Sequence, residues 1–279
     1  MVHAAVRILC GVDRPVEVIR SRTNSVLKRA RSVGRGKEEG FVLVEGERLV
    51  RDALAAGHTP ELLLVAEPQV SSVQDLQASH EIRCYGAGLM DGSSALKTAP
   101  GLAGIFRIPE AKGLVHLEAS LEGAPSALVL GVAGIADPGN LGALVRVAEA
   151  AGVAAVVIGP GGARPFGSKA LRGSMGSLFR VPVVEVSSLG DAVASLGRLG
   201  FEQCVAATRG GHSLHEHPFT ARTALWMTSE TGEVPAELSQ CKGITIPMGG
   251  QVESLNVTVA GALLLYAASG AAGSKGPGR

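Results

Sequence analysis

The sequence predicts an α/β protein with two domains, in which the larger, C-terminal domain is built on a parallel sheet. From residue 126 onward, short apolar runs alternate with helical segments, a pattern typical of parallel strands covered on both faces. Residues 109–125 interrupt this pattern with Glu, Lys, Gly and Ser, which predicts a linker after a smaller α/β domain. Residues 248–250 carry little side chain and precede a nearly unbroken apolar run, a pattern typical either of a ligand-binding loop or of a tight loop before a buried helix.

The N-terminal domain is expected to span residues 1–108. Its pattern predicts a helix over residues 45–57 and strands over 61–66, 82–85 and 102–108, which suit a small α/β sandwich. Between residues 20 and 37 there are seven basic residues and no acidic one. Such a run is typical either of a phosphate-binding surface or of a solvated helix face. The seven residues are Arg20, Arg22, Lys28, Arg29, Arg31, Arg35 and Lys37.

The C-terminal domain is expected to span residues 126–269. Its first connecting helix is predicted over residues 140–152, after a turn whose Asp137 and Pro138 suit a helix start. The predicted strands cover residues 128–132, 154–158, 181–186, 203–207 and 223–227.

The last helix is predicted over residues 255–268, with Ser254 as its N-cap. Because this helix is apolar on every side, we expect it to be buried against the sheet, a second subunit, or both. The Gly-rich residues 270–279 predict a disordered tail.

Composition narrows the class of protein. Aromatic residues make up only 3% of the chain. Any binding to RNA should therefore come from contacts of Arg and Lys with phosphates rather than from aromatic rings stacked on bases. Four scattered cysteines and no convincing signal sequence predict a reduced, cytoplasmic protein. No apolar run reaches membrane-spanning length, so no membrane partner is expected.

Other ligand classes find little support in the motifs. Neither G-x-G-x-x-G nor G-x-x-x-x-G-K-[ST] occurs, which argues against a nicotinamide oxidoreductase and against a P-loop enzyme. His212, His215 and His217 are close in sequence, but no cysteine lies beside them and their spacing matches no familiar zinc pattern. They predict a polar connection, and we expect no metal.

Three ordered motifs carry a family resemblance. They are DPGNLGALVR at residues 137–146, KALRGSMGSLFRVP at 169–182, and IPM at 246–248 with ESLN at 253–256. Together they resemble the SpoU (TrmH-like) RNA ribose 2′-O-methyltransferases of the SPOUT superfamily. SRTN at residues 21–24 and FVLVEGER at 41–48 are similar to the L30e-like substrate-binding domain that many members carry, so the resemblance covers most of the chain.

The resemblance implies a SPOUT domain with a parallel sheet and a C-terminal trefoil knot, which no composition or periodicity could predict. It also implies S-adenosyl-L-methionine as cofactor, held largely by main-chain groups of three loops, with Leu255 closing over the adenine. The residues that match these loops are Ala206, Ala207, Thr208, Thr228, Ser229, Glu230, Gly232, Ile246, Pro247 and Met248.

For the reaction, the resemblance implies methyl transfer to a ribose 2′-hydroxyl beside Arg146. A guanidinium is hard to deprotonate, so we favour Arg146 as a cation that grips phosphate and stabilises the developing alkoxide. Asn140 and Asn256 would fix the geometry, and Ser254 would orient either reactant. Lys169, Arg172 and Ser174 are expected at the RNA-facing rim, and the family usually forms homodimers. The N-terminal domain favours ribosomal (23S) RNA over transfer RNA.

One departure from the family pattern concerns the second loop. Where the family commonly has a glycine, this chain has Thr228, and a second glycine comes one place early, at Gly232. A side chain at position 228 could narrow the cofactor pocket. This departure leaves a non-catalytic RNA-binding relative as one alternative. A transfer-RNA 2′-O-methyltransferase is a second alternative, which concerns the substrate.

Overall fold

The computed structural model describes residues 18–91, 101–110, 112–229 and 233–273. These residues form two compact units. The first contains the described residues up to Pro109 together with Phe166–Arg172, and the second contains the remainder. Elements are numbered in chain order across both units.

The first unit contains a mixed sheet of five strands within the described residues, in the order β1-β4-β3-β5-β2. Strand β5 runs antiparallel to β2 and β3, and the other pairs are parallel. The strands are β1 (Val18–Ile19), β2 (Phe41–Glu45), β3 (Pro60–Ala66), β4 (Ile82–Tyr85) and β5 (Leu102–Arg107). The helices before the second unit are α1 (Ser25–Gly34), α2 (Glu47–Ala55) and α3 (Gln74–Gln77).

The structure confirms the predicted helix and the three predicted strands of this unit, within two residues at most ends. Helix α1 and strands β1 and β2 were not predicted from the sequence. Helix α1 begins at the N-cap Asn24, whose side chain accepts a hydrogen bond from the Val26 amide. Its buried face, Leu27, Ala30 and Val33, joins the core of the sheet, while its basic residues lie elsewhere on the helix.

The second unit contains a sheet of seven strands within the described residues, in the order β10-β12-β9-β11-β6-β7-β8. Every pair is parallel, as predicted. The strands are β6 (Ala127–Ala133), β7 (Ala155–Ile158), β8 (Val183–Glu185), β9 (Glu202–Ala206), β10 (His212–Ser213), β11 (Arg222–Thr228) and β12 (Lys242–Thr245). The helices from Leu114 onward are α4 (Leu114–Leu121), α5 (Pro138–Ala150), α6 (Ser168–Ser174), α7 (Ser177–Arg180), α8 (Leu189–Arg198) and α9 (Val257–Ala271).

Helices cover both faces of this sheet. Leucines of α4 and α8 pack in one core with Val129, Val157 and Trp226, and α9 packs on the opposite face with α5. Helix α4 lies within residues 109–125, which we expected to be a linker, and its Leu117 and Leu121 are buried. The predicted strands and the predicted helix over residues 140–152 are confirmed, including the N-cap Asp137 and Pro138 at the helix start.

One prediction about α9 is wrong. The helix begins at Val257, and its N-cap is Asn256 rather than Ser254. One side of the helix packs within this chain, whereas on the other side Val259, Leu263 and Tyr266 are 49%, 45% and 57% exposed. The helix extends to Ala271, into the predicted tail, whose residues 274–279 lie outside the described part of the chain. Among the described residues, no helix is both long enough and apolar enough to cross a bilayer.

Candidate active site

A cavity lies where strands β9, β11 and β12 end. The carboxyl ends of parallel strands meet at one edge of a sheet, and this is where α/β proteins commonly bind ligands. The space between its walls amounts to about 640 Å³, a figure that includes open solvent. Its lining residues are Ala206, Ala207, Thr208, Met227, Thr228, Ser229, Ile244, Ile246, Met248, Ser254, Leu255, Val257, Ala260 and Leu264.

The three turns singled out in the sequence therefore share one cavity. They are residues 206–208 after β9, residues 228–229 after β11, and residues 246–255 between β12 and α9. Of the expected cofactor-binding residues, Pro247 is exposed and does not line the cavity, whereas Glu230 and Gly232 lie outside the described residues. Thr228 does line it, and its side chain is nearly buried, with 6% of the residue exposed.

The apolar floor of the cavity was not predicted. Met227 and Ile244 come from the strands, and three residues of α9 complete the floor: Val257, Ala260 and Leu264. The spacing of these three, at i, i+3 and i+7, is that of one helix face. That spacing was visible in the sequence, but the helix was apolar all round and so did not indicate which face points to a ligand.

Asn140 and Asn256 lie next to each other. The Asn256 side chain donates from Nδ2 to Asn140 Oδ1 at 3.2 Å, and its own Oδ1 accepts from the Thr258 amide. The Thr258 hydroxyl also donates to the Asn140 carbonyl oxygen at 3.3 Å. These contacts join the first turn of α5 to the first turn of α9. The Asn140–Asn256 pair, which we predicted to fix the geometry of the site, is thus held in place by the starts of two helices.

Arg146 is exposed on α5 and does not line the cavity. Within the described part of the chain, its guanidinium has no hydrogen-bond or ion-pair partner. The opposite side of α5 is buried through Leu141, Leu144 and Val145. Arg146 is thus a cation presented to solvent by a fixed helix, able to contact an anionic ligand.

The basic run of the first unit divides into two groups. Three of its arginines form ion pairs or hydrogen bonds with other residues of the same unit. Arg20 pairs with Glu67 at 2.6 Å, Arg29 pairs with Glu38 and Glu61, and Arg31 donates to the Arg22 and Leu89 carbonyl oxygens. Hydrogen bonds to Glu38 and Glu61 raise the pKa of Arg29.

The second group is exposed. Arg22 donates one bond to the Gly88 carbonyl oxygen, and Lys28, Arg35 and Lys37 have no partner among the described residues. A phosphate surface is therefore available at only part of the run that the sequence indicated.

The three residues expected at the RNA-facing rim differ in exposure. Lys169 is exposed, and Arg172 is partly exposed, with its Nη1 lying 3.4 Å from Glu45 Oε2. Ser174 is fully buried at 0% exposure, so its side chain does not face solvent, contrary to the prediction. Its position in the motif indicated a surface serine, but the end of α6 packs inward.

The structure also brings a cysteine next to the histidine group. Cys204 Sγ lies 3.7 Å from His217 Nε2, although the two residues are 13 positions apart. The sequence-based statement that no cysteine accompanies these histidines therefore holds along the chain but not in space.

A parallel α/β domain with a cavity at the carboxyl edge of its sheet defines a ligand-binding domain of the kind that many enzymes use. Residues 127–266, half of the chain, match the model of the SpoU rRNA Methylase family, and the chain belongs to that family. The sequence-based recognition is confirmed.

Relatives agree with this assignment. The 23S rRNA (guanosine(2553)-2′-O)-methyltransferase RlmP of Bacillus subtilis (strain 168) is 36% identical over 230 residues, covering 80% of this chain and 86% of that protein. A solved RNA 2′-O ribose methyltransferase is 27% identical, with a TM-score of 0.74 over 91% of this chain and 98% of that one. The AdoMet-bound rRNA methyltransferase from Sinorhizobium meliloti has a similar fold, with a TM-score of 0.78 at 23% identity over 91% and 97% of the two chains.

Proposed function

We propose that the protein transfers a methyl group from S-adenosyl-L-methionine to a ribose 2′-hydroxyl of RNA, with 23S ribosomal RNA as the substrate. The observation that carries this proposal is the convergence of three backbone-rich turns on one cavity in a chain of the SpoU family. The similarity to a 23S rRNA 2′-O-methyltransferase over most of both chains supports ribosomal over transfer RNA.

The lining of the cavity suits this cofactor. Met227, Ile244 and Leu264 offer an apolar floor for a flat base, and the turns at residues 206–208 and 246–248 offer peptide groups for its polar edge. Within the described lining, no carboxylate or cationic side chain is present, so recognition would depend on shape and main-chain hydrogen bonds. When bound, the cofactor supplies an already activated sulfonium methyl group.

The residues of the chain would then align the acceptor oxygen and assist loss of its proton. The Asn140–Asn256 pair joins the starts of two helices and would fix the acceptor side of the site. Arg146 would bind a phosphate of the RNA and stabilise the alkoxide as it forms, because a guanidinium is a cation that donates several hydrogen bonds. Ser254, at the cavity wall, would orient either reactant.

Isothermal titration with S-adenosylmethionine tests the proposal. Wild-type protein should bind one equivalent. Ser229→Arg should abolish binding by filling the cavity, whereas Ser239→Arg, on an exposed turn outside it, should bind normally. If wild-type protein gives no heat at high cofactor concentration, the chain is the alternative, a non-catalytic RNA-binding relative. The near-buried Thr228 side chain is the feature that favours this alternative.

We further propose that the first unit is an L30e-like substrate-binding domain and that its exposed basic residues contact RNA phosphates. Lys28, Arg35 and Lys37 would contribute most, because several other cations of the run bond to acidic or carbonyl groups of the same unit. The exposed Lys169 would add a further contact to an RNA phosphate. Arg22 and Arg172 would contribute less, since each has a partner within the chain.

The remaining expectations complete the proposal. The segment between β12 and α9 would be threaded as a trefoil knot, and the support for this is that residues 246–255 share a cavity with residues 206–208 and 228–229. The exposed apolar face of α9 would pair with a second copy to form a homodimer. The protein would act in the cytoplasm, and the support for this is its similarity to a bacterial rRNA methyltransferase.

A further inference from the structure

A second polar cluster lies on the same sheet as the cavity. Glu202 and Cys204 are two positions apart on β9, so their side chains point to the same face. His217, in the segment after β10, reaches back to both of them. The side chains are largely withdrawn from solvent: those of His217 and Glu202 are 5% and 10% exposed, and Cys204 is 0% exposed.

The possible ligand atoms of this cluster lie close to one another. His217 Nε2 lies 3.7 Å from Cys204 Sγ and 3.6 Å from Glu202 Oε2, and all three atoms lie within 4.8 Å of one another. Two ligand atoms of one tetrahedral zinc ion are separated by a distance that follows from the bond lengths. This distance is about 3.3 Å between a nitrogen and an oxygen, and about 3.6 Å between a nitrogen and a sulfur. The separation of 3.6 Å between Nε2 and Oε2 is too long for a good hydrogen bond but close to that of shared metal ligands.

The chemistry of the donors selects the ion. Thiolate and imidazole together favour zinc over magnesium or calcium, and a carboxylate is a common third ligand. Lys242 donates to the other carboxylate oxygen, Glu202 Oε1, at 2.6 Å, which orients the carboxylate as outer-sphere partners do in known sites. An open cleft beside His217, lined also by His212 and Ser213, gives solvent access for a water as the fourth ligand.

We propose that Glu202, Cys204 and His217 bind a zinc ion. Binding would form a Zn–S bond and release the Cys204 thiol proton to solvent, leaving imidazole and carboxylate as neutral and anionic ligands. The chain leaves β9 after Ala206 and returns beside this strand at His217. The ion would therefore link His217 to Glu202 and Cys204 of β9. Residues 206–208 at the start of this loop line the cavity, so zinc would hold one cavity wall in place.

The test uses the full chain after dialysis against a chelator. Cobalt(II) is titrated as a spectroscopic substitute, followed by zinc. We expect one equivalent of cobalt to give a thiolate-to-metal charge-transfer band that zinc then abolishes. Cys204→Ser should eliminate this band, and Glu202→Gln should weaken cobalt binding by at least about tenfold. Cys241→Ser should keep the band, because the Cys241 thiol packs against the hydrophobic core and is outside the ligand cluster.

The outcomes separate a metal site from a simple thiol–imidazole contact. The proposal is overturned if wild-type protein gives no charge-transfer band, or if Cys204→Ser retains it. It is equally overturned if Cys241→Ser abolishes it. If circular dichroism shows that Cys204→Ser does not fold, the test uses the other two measurements. A wild type that does not bind one equivalent of cobalt, or a Glu202→Gln variant that binds cobalt as tightly as the wild type, then overturns the proposal. Methyl-transfer activity enters none of these measurements, so the zinc site stands or fails separately from the proposed function.

Discussion

At the scale of single residues, Arg146 is the group on which the proposed chemistry depends most. A guanidinium is in general very hard to deprotonate, so a role as general base would require an unusual environment. Arg146 is exposed and has no anionic partner among the described residues. A solvent-facing cation on a fixed helix is better suited to bind the charged backbone of RNA.

We therefore expect Arg146→Ala to abolish methyl transfer while changing the dissociation constant for S-adenosylmethionine by less than about threefold. The reason is that Arg146 does not line the cavity. Activity is measured with tritiated cofactor and affinity by calorimetry. Arg198→Ala is the matched control, since Arg198 is an exposed arginine of α8 that pairs with Glu118. Loss of cofactor binding in Arg146→Ala would refute the assigned role.

Gly131 shows how tightly the core beneath the site is packed. A Cβ atom added there would lie 2.1 Å from the Trp226 ring, and Trp226 is fully buried. The ring cannot easily move away, because its Nε1 donates to Gln203 Oε1 at 2.9 Å.

Gly131→Ala is thus expected to lower the free energy of unfolding by about 1–3 kcal/mol, as overpacked cores do. Urea unfolding followed by tryptophan fluorescence measures the change. Gly270→Ala is the control: it lies in open space in α9 and should be neutral or stabilising by up to about 1 kcal/mol. Identical midpoints for the two variants would contradict the packing argument.

At the scale of elements, the start of α9 connects folding to the site. Asn256 both caps the helix and contacts Asn140 at the start of α5. Asn256→Ala should cost about 0.5–2 kcal/mol of stability, the usual effect of losing an N-cap. Ser254→Ala should change stability by less than about 0.5 kcal/mol, because Ser254 is exposed and precedes the cap. Thermal unfolding of both variants checks this, and a larger loss in Ser254→Ala would restore the sequence-based assignment of the cap.

The mistaken cap shows what the sequence could and could not determine. The alternation of apolar runs and helices predicted five strands of the parallel sheet, β6, β7, β8, β9 and β11, because burial on both faces leaves a strong local signal. Strands β10 and β12 were not predicted, and in β12 only Ile244 is buried, so its local signal is weak. Ser254 and Asn256 are both good N-caps, and the choice between them depends on backbone angles set by packing against α5. The local sequence does not contain that information.

Contacts between distant segments were similarly beyond prediction. Cys204 meets His217 only because the chain leaves β9 and returns beside it. Ser174 is buried because of how α6 packs, whereas its motif suggested a surface position. By contrast, the residues of the three cavity turns were indicated by the family resemblance, and members of all three line one cavity.

Helix α1 and the residues that directly follow it form the surface with which the first unit is expected to bind RNA. Replacing Lys28, Arg35 and Lys37 together by Ala should weaken binding to a fragment of large-subunit ribosomal RNA. The slope of log affinity against log salt should fall by about two to three, one counterion being released for each phosphate contact. Fluorescence anisotropy at several salt concentrations measures it. Arg83→Ala, which removes an exposed arginine paired with Glu81, should leave the slope unchanged. An unchanged slope in the triple variant would place the RNA surface elsewhere.

At the scale of the whole molecule, the exposed apolar side of α9 is the feature that indicates a protein partner. Val259, Leu263 and Tyr266 are spaced by four and three positions and form one apolar stripe. Each is about half exposed in the single chain. Helices of a monomeric protein usually place polar residues on such a face, so the stripe favours association with a second copy.

Leu263→Glu is accordingly expected to convert a homodimer into a monomer, because an unpaired carboxylate would be buried at the centre of the stripe. Sedimentation equilibrium should give twice the chain mass of 28.4 kDa for the wild type and the single mass for the variant. Val115→Glu is the control, since Val115 is 75% exposed on α4 and should not alter the mass. The Leu263→Glu monomer should keep its helical circular dichroism, because Leu263 faces away from the core of its own chain. A wild type that sediments as a monomer at micromolar concentration would exclude the dimer and leave the stripe without its proposed partner.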